Sequence, residues 1–315
     1  GDLFRVNKGV NRSCRDVLGE LRVRAGMTLN LSKRPNGTRC LLYFAVNYDV
    51  KYLDLLAYSL NALYKFENTS YYDVLVICPA GFEGRIRNMV NDGRIKLKCM
   101  NLFFMHVPMA KDGVEASMNK LKICQYERIR EYESVLFIDS DIMVTKPLHG
   151  LFYGCEKNDK VHVAYTTPFI KKMGSKAFCN PFHSLPGTFG KEDLNRLEYH
   201  GQMPFNAGQF LFHPTEAMLR HFENVDWMTE AWPSTYFFEQ SFMNYYFCNG
   251  LMTDNRVFDK HVCILHLNMI SAGKVGIDDE INNLNGSASL IHFAGNCLNH
   301  GNKLEFIEHW LEGNN

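Results

Sequence analysis

Asp139 and Asp141 stand two residues apart in Phe137-Ile138-Asp139-Ser140-Asp141-Ile142, directly after the apolar run that begins at Ser134. In extended backbone, residues i and i+2 face the same way, so both carboxylates project to one side. Such a pair repels itself unless a cation lies between its members, and hard oxygen ligands suit magnesium or manganese. A bare Asp-x-Asp carries little weight, since composition supplies roughly one by chance. Its place gives it meaning: open α/β sheets bind ligands at the carboxyl ends of their strands. The plainer alternative is a turn or a helix N-cap after a strand. Divalent-metal binding is the expectation.

Two enzyme classes put a carboxylate pair at such a point. In phosphohydrolases of the haloacid-dehalogenase type the first Asp is a nucleophile and the second a general acid. That pattern wants Thr or Val two residues after the second Asp and an early position, whereas position 143 is Met and about a hundred residues of alternating structure precede Asp139. In nucleotide-sugar glycosyltransferases the pair holds a metal on the donor diphosphate, and a late position is natural. His292, after Leu290-Ile291, is a candidate third ligand, and His266, after Ile264-Leu265, is its rival. The plainer reading of either is a satisfied core histidine.

The elements that must position these groups read as an α/β alternation. Leu41 to Val46 is a continuous apolar run, the mark of a strand buried on both faces. Tyr52, Leu55, Leu56, Leu60 and Leu63 then follow at helical spacing. Asp73 to Cys78 predicts a second strand, a basic helix-like stretch comes next, and Lys98 to Val107 predicts a third strand. Asn119 to Tyr132 is expected to be a helix feeding the Ser134–Ile138 strand. Phe205 to Phe212 and Thr235 to Phe247 come later, with a final strand at Ser289–Phe293 and a terminal helix over Leu304–Leu311. Alternation of this kind implies a mostly parallel central sheet with flanking helices. Pro168 to Pro204, rich in Gly and Pro, is expected to be a long irregular stretch on the acceptor side. Residues 1–39 form a basic lead-in arm or stem and 40–315 the main domain: the first 40 residues hold nine Lys/Arg against three Asp/Glu.

The order of several pieces resembles glycosyltransferase family 8, which includes glycogenin, galactinol synthase and bacterial lipopolysaccharide galactosyltransferases. The pieces are Leu42 to Leu60, Asn119-Lys120-Leu121, the Asp139/Asp141 segment, Phe205-Asn206-Ala207-Gly208, Glu239-Gln240 and His292-Phe293-Ala294-Gly295, spread over roughly Cys40 to Gly301. Glu239-Gln240-Ser241 and His292-Phe293-x-Gly295 are also similar to family 34. The resemblance implies a GT-A (Rossmann-like) fold, a UDP-sugar donor, Mn2+ (or Mg2+), retention of anomeric configuration and a glycan or glycoprotein acceptor. By the same resemblance, Ala45, Asn47 and Tyr52 lie around the uracil and ribose, with Ser140 at the ribose and Lys120 near the donor sugar or phosphates. Asp139, Asp141 and His292 complete the metal site. Asn206, Ala207 and Gly208 form the sugar-side wall, Gly295 belongs to the donor site, and Glu239 with Gln240 sits beneath the anomeric carbon. Two departures stand out. Glu239 replaces the family's usual Asp, and the family's diphosphate lysine falls on Leu298, which leaves Lys303 to reach in from the following loop. Asn206-Ala207-Gly208 also reads as a plain turn, and Glu239 and Gln240 as helix-surface residues.

Composition narrows the classes further. The chain of 315 residues carries 34 basic and 34 acidic side chains, so bulk attraction to nucleic acid is not expected. No apolar run is long enough to span a bilayer. Ten cysteines without a C-x-x-C pair argue against a disulfide scaffold or a thiolate zinc cluster. Five Asn-x-Ser/Thr sequons, at Asn11, Asn30, Asn36, Asn68 and Asn285, tilt the balance towards the secretory pathway. The expected place is the Golgi lumen if a membrane anchor was removed ahead of Gly1, and the cytoplasm otherwise; a homodimer is left open. The alternatives to a retaining glycosyltransferase are a metal-dependent phosphohydrolase and a non-catalytic nucleotide-sugar or glycan-binding protein.

Overall fold

The computed structural model describes residues 39–67, 71–165, 172–180, 183–185, 189–232, 238–267, 288–295 and 300–313. The basic arm up to residue 38, Leu298 and all five sequon asparagines lie outside the described residues, as does part of the 168–204 stretch.

A strand with no polar residue to give to solvent must be covered on both faces, and β1 (Cys40–Ala45) is. Cys40, Leu42 and Phe44 enter one core while Leu41 and Tyr43 enter the other. β1 lies parallel to β2 (Tyr72–Cys78) on one side and to β4 (Ser134–Ile138) on the other, with β3 (Leu102–His106) parallel beyond β2. The third strand is shorter than the Lys98–Val107 expectation. Helices α1 (Tyr52–Phe66) and α2 (Ala80–Asn91) make the crossovers. β7 (Phe205–Phe212) runs antiparallel to β4 and to β6 (Val161–Tyr165), and the two-residue β8 (Thr253–Asp254) closes the sheet, giving the order β3-β2-β1-β4-β7-β6-β8.

There is also a second, three-stranded sheet, which the pattern of apolar runs does not announce. Its order is β5 (Ile142–Val144), β10 (Leu290–Ala294), β9 (Val262–His266). The terminal helix α9 (His300–Gly313) covers it, with buried Ile307 among Met143, Cys263, Leu265, Ile291 and Phe293. Ser59 of α1 donates to the Ile142 carbonyl at 2.6 Å, and Tyr58 hydrogen-bonds Glu308, so α1 is tied to both the small sheet and its covering helix.

Two expectations are corrected. Asn119 to Tyr132 is not one α-helix: α3 (Gly113–Met118) gives way to 3-10 turns at Asn119–Gln125 and Ile129–Glu131. The Tyr43 hydroxyl donates to the Lys120 carbonyl at 3.1 Å, taking an acceptor that an α-helix would use. The 168–204 stretch is not wholly irregular, because α5 (Lys191–Tyr199) forms within it. Its start is fixed by Asp193, whose carboxylate accepts from Gly190 N–H at 3.0 Å, with Glu192 and Asp193 complementing the helix dipole. Residues 216–231 form α6 (Glu216–Ala231), capped by Thr215 through Met218 N–H at 3.1 Å.

Candidate metal and donor site

Asp139 follows β4 and Asp141 precedes β5, so the short turn that holds them links the two sheets. β10 pairs with β5 so that His292 lies opposite Ile142, and Phe293 N–H donates to the Asp141 carbonyl at 3.1 Å. That pairing brings a residue 151 positions further along the chain beside the carboxylates. Ligand atoms of Asp139, Asp141 and His292 all fall within 4.8 Å of one another. His292 Nε2 is 3.3 Å from Asp141 Oδ1. Asp141 Oδ1 and His292 Nδ1 are buried without a hydrogen-bond partner among the described residues. Orphaned buried polar atoms are costly, and a cation ligated by them would remove the cost. Two carboxylates and one imidazole suit a divalent ion of the magnesium-to-manganese kind, with the nitrogen favouring the softer end.

Gly208 is what lets His292 reach this position. A Cβ at residue 208 would lie 2.3 Å from His292 Cε1 and 2.8 Å from Nδ1, inside any permissible contact. Asn206-Ala207-Gly208 is therefore no turn: it is the start of β7, and the Gly208 carbonyl accepts from Asp139 N–H at 2.7 Å. Asn206 Oδ1 accepts from Gly208 N–H at 2.8 Å. Gly295 follows β10 with φ +88°, a left-handed conformation that a side chain would strain.

Lys120 is the hub on the other side. Its ammonium lies 2.7 Å from Glu239 Oε1 and 3.1 Å from both Asp139 Oδ1 and the Ala207 carbonyl, 4.5 Å over the Phe137 ring. Burial alone drives the Lys120 ammonium towards neutrality, but Asp139 and Glu239 override it and hold the pKa above its ordinary value. Glu239 opens α7 (Glu239–Met243) and is buried, with Oε2 unpartnered among the described residues, so it is no helix-surface residue. Gln240 Oε1 accepts from Ala207 N–H at 3.1 Å, and its amide nitrogen approaches His183 Nδ1 at 3.4 Å. His183 carries no sequence signal and joins the site through this contact.

The two aspartates differ in their surroundings. Burial raises the Asp139 carboxyl above its usual range; Lys120 opposes this, and the like charges of Asp141 and Glu239 reinforce it. Burial acts on Asp141 too, yet Lys303 and then His292 outweigh it and keep that carboxyl ionised well below the usual range. Lys303 Nζ lies 2.7 Å from Asp141 Oδ2, so the residue reaches the site from α9.

No family model and no curated protein matches the sequence. Solved structures do match in shape. WbbM, described as a bifunctional glycosyltransferase, superposes with a TM-score of 0.53 at 16% identity, over 84% of this chain and 47% of its own. The galactosyltransferase LgtC, solved with donor and acceptor sugar analogues, gives 0.51 at 15% identity over 86% and 95%. The glycosyltransferase GlyE of Streptococcus pneumoniae gives 0.50 at 14% identity over 88% and 64%. The chain thus spans about half the length of the WbbM chain and under two thirds of GlyE.

The fold is GT-A.

In this GT-A frame the Asp139-Ser140-Asp141 turn is a DxD-like site at the sheet's carboxyl edge. Ala45 ends β1 on the same edge, and Ser140 is buried between the carboxylates. Tyr52, at the start of α1, is 37% exposed, and burial raises its phenol pKa, with Lys303 opposing the rise and Asp141 reinforcing it. Asn47 is buried and held by backbone groups. Its Oδ1 accepts from Tyr48 N–H at 2.6 Å and Ala110 N–H at 3.0 Å, while Nδ2 donates to the Pro108 carbonyl at 2.9 Å. It ties the loop after β1 to the loop after β3 and bends the chain into the left-handed Tyr48, φ +73°. His266 lies in register with Ala294, two residues beyond His292; its side chain is outside the described atoms.

Proposed function

We propose that the chain is a retaining, metal-dependent glycosyltransferase that moves a sugar from a UDP-sugar to a hydroxyl of a glycan or glycoprotein, forming an α-linkage. The observation that carries this is the convergence of Asp139, Asp141 and His292 within 4.8 Å on a GT-A fold. Mn2+ or Mg2+ would be held by these three residues and would supply positive charge to the departing diphosphate.

The remaining residues do the positioning. Ala45, Asn47, Tyr52 and Ser140 border the nucleoside, and Gly295 leaves room at the end of β10. Asn206, Ala207 and Gly208 wall the sugar. Lys120 pairs with Glu239 Oε1 at 2.7 Å, and the unpartnered Glu239 Oε2 is directed at positive charge developing on the anomeric carbon. The bond from that carbon to the diphosphate oxygen breaks, and a bond to the acceptor oxygen forms on the same face. The acceptor's proton passes to the diphosphate. Double displacement through Glu239 is disfavoured, because the ammonium 2.7 Å from Oε1 weakens it as a nucleophile. Gln240, an amide, cannot act as a base but can stabilise the same positive charge. A phosphohydrolase would need Asp141 as a proton donor, which conflicts with its being held ionised by Lys303 and His292.

Proton NMR of the isolated product tests the stereochemistry. A small anomeric coupling is expected from a gluco-configured α-linked donor, and a large axial–axial coupling would contradict retention.

A further inference from the structure

The start of β7 is held to α7 by side-chain amides. Asn244 directly follows α7 and takes both backbone groups of Phe205: its Oδ1 accepts from Phe205 N–H at 2.8 Å, and its Nδ2 donates to the Phe205 carbonyl at 3.0 Å. Gln240, four residues earlier, accepts from Ala207 N–H at 3.1 Å. Four residues of helix rise about 6 Å and two residues of strand about 6.5 Å, so helix positions i and i+4 match strand positions two apart. The sheet's own ladder is interrupted at this point, since the register of β6 against β7 shifts between Val163 and Tyr165.

Asn244 is the buried member of this pair of amides. It has no solvent exposure and stands where α7 passes into a single π-helical turn, Asn244–Cys248. So placed it cannot touch a substrate, but without it a buried N–H and a buried carbonyl lose their partner. The groups it seats are those of the site. Glu239 opens α7 and pairs with Lys120, whose ammonium also takes the Ala207 carbonyl at 3.1 Å. The backbone of Phe205 and Ala207 is therefore bound by Asn244, Gln240 and Lys120, and α7 keeps its place only while it stays seated on β7. Misplacement of reacting groups by about 1 Å can lower a rate by about a hundredfold.

Resting on the glycosyltransferase reading above, we infer that Asn244 is a positioning residue: it locks α7 to β7 and thereby sets Glu239 and Gln240 against the wall formed by Asn206, Ala207 and Gly208. Its effect falls on turnover and not on nucleotide binding, because none of the residues assigned to the nucleoside or the metal lies on α7.

Steady-state UDP release with Mn2+ and a UDP-sugar tests it on the wild type, Asn244→Ala and Asn244→Ser, with thermal unfolding to report which variants are folded and calorimetry to report UDP affinity. In the folded variants kcat is expected to fall about tenfold or more, while the donor KM and the UDP affinity move by less than about threefold. A merely structural residue would lower the unfolding temperature and leave kcat per folded molecule unchanged. That result, or a loss carried by KM and UDP affinity instead of kcat, overturns the inference. Amide hydrogen exchange of the wild type, resolved by residue with NMR, decides the matter if neither variant folds. Phe205 and Ala207 are expected to be protected to the same degree, because both open only when α7 lifts, whereas freely exchanging Phe205 or clearly unequal protection overturns the inference. A wild type that releases no UDP from any UDP-sugar removes the glycosyltransferase reading and the role in turnover with it, while the exchange data still report the α7–β7 contact by itself.

Discussion

At Gly208 the missing side chain is the functional feature. His292 Cε1 occupies the space a Cβ would need, at 2.3 Å, so Gly208→Ala must push the imidazole away from Asp141. Mn2+ affinity is expected to fall about tenfold or more in Gly208→Ala, as measured by metal titration, since groups that orient a metal ligand are typically worth that much. Far-UV circular dichroism is expected to stay unchanged. Unaltered affinity would mean that His292 is not a ligand. At this scale the sequence was informative where chemistry constrains residue type. Asp139, Asp141, His292, Lys120 and Glu239 are all legible as an ordered set, and the fold brings them together. The partners were not legible. That Lys120 bridges Asp139 to Glu239, or that Gln240 meets His183, depends on contacts between residues 19 to 119 positions apart, which no local pattern encodes.

Among the elements, β6 and α9 make separable contributions. His162, in β6, is buried and donates through Nε2 to the Glu156 carbonyl at 3.0 Å. Burial first, with the nearby His213 adding to it against Asp254, lowers its pKa from the ordinary 6.5 to about 4. The folded state therefore refuses a proton that the unfolded state accepts once pH drops below the unfolded value. Stability is fully present above about pH 6.5 and falls by about 1.4 kcal/mol per unit towards pH 4, a loss on the order of 3 kcal/mol. Denaturant melts of the wild type and His162→Gln across this window check it: the variant is expected to lack this part of the acid slope. For α9, Ile307→Ala leaves a cavity under the small sheet, and a cost of about 3 kcal/mol is expected by urea unfolding. A cost below about 1 kcal/mol would mean that the helix docks loosely. The elements easiest to read were those buried on two faces, such as β1, β2 and β4, because an apolar run has one explanation there. The 3-10 path of Asn119–Gln125 was misread because the Tyr43 hydroxyl, a tertiary partner, decides it.

Across the whole molecule, the large sheet leads into Asp139 at the carboxyl end of β4 and the small sheet brings His292 beside it. The sequence shows β10 as the Ser289–Phe293 strand, but not that it forms a separate sheet, because its antiparallel partner β5 has only three residues. The role of the small sheet is to place His292 and Lys303, from the last 30 residues, against a turn near position 140. No helix among the described residues is long and apolar enough to cross a membrane. The central claim is that this assembly transfers sugar from UDP with a metal on the Asp139/Asp141/His292 triad. Its most direct test is release of free UDP from a panel of UDP-sugars, with Mn2+, with EDTA, and with Asp139→Asn or Asp141→Asn in place of the wild type. The account predicts Mn2+-dependent UDP release from at least one donor, lost in EDTA and reduced by a factor of about a hundred or more in either folded variant. UDP release that persists undiminished in EDTA and in both variants would contradict it.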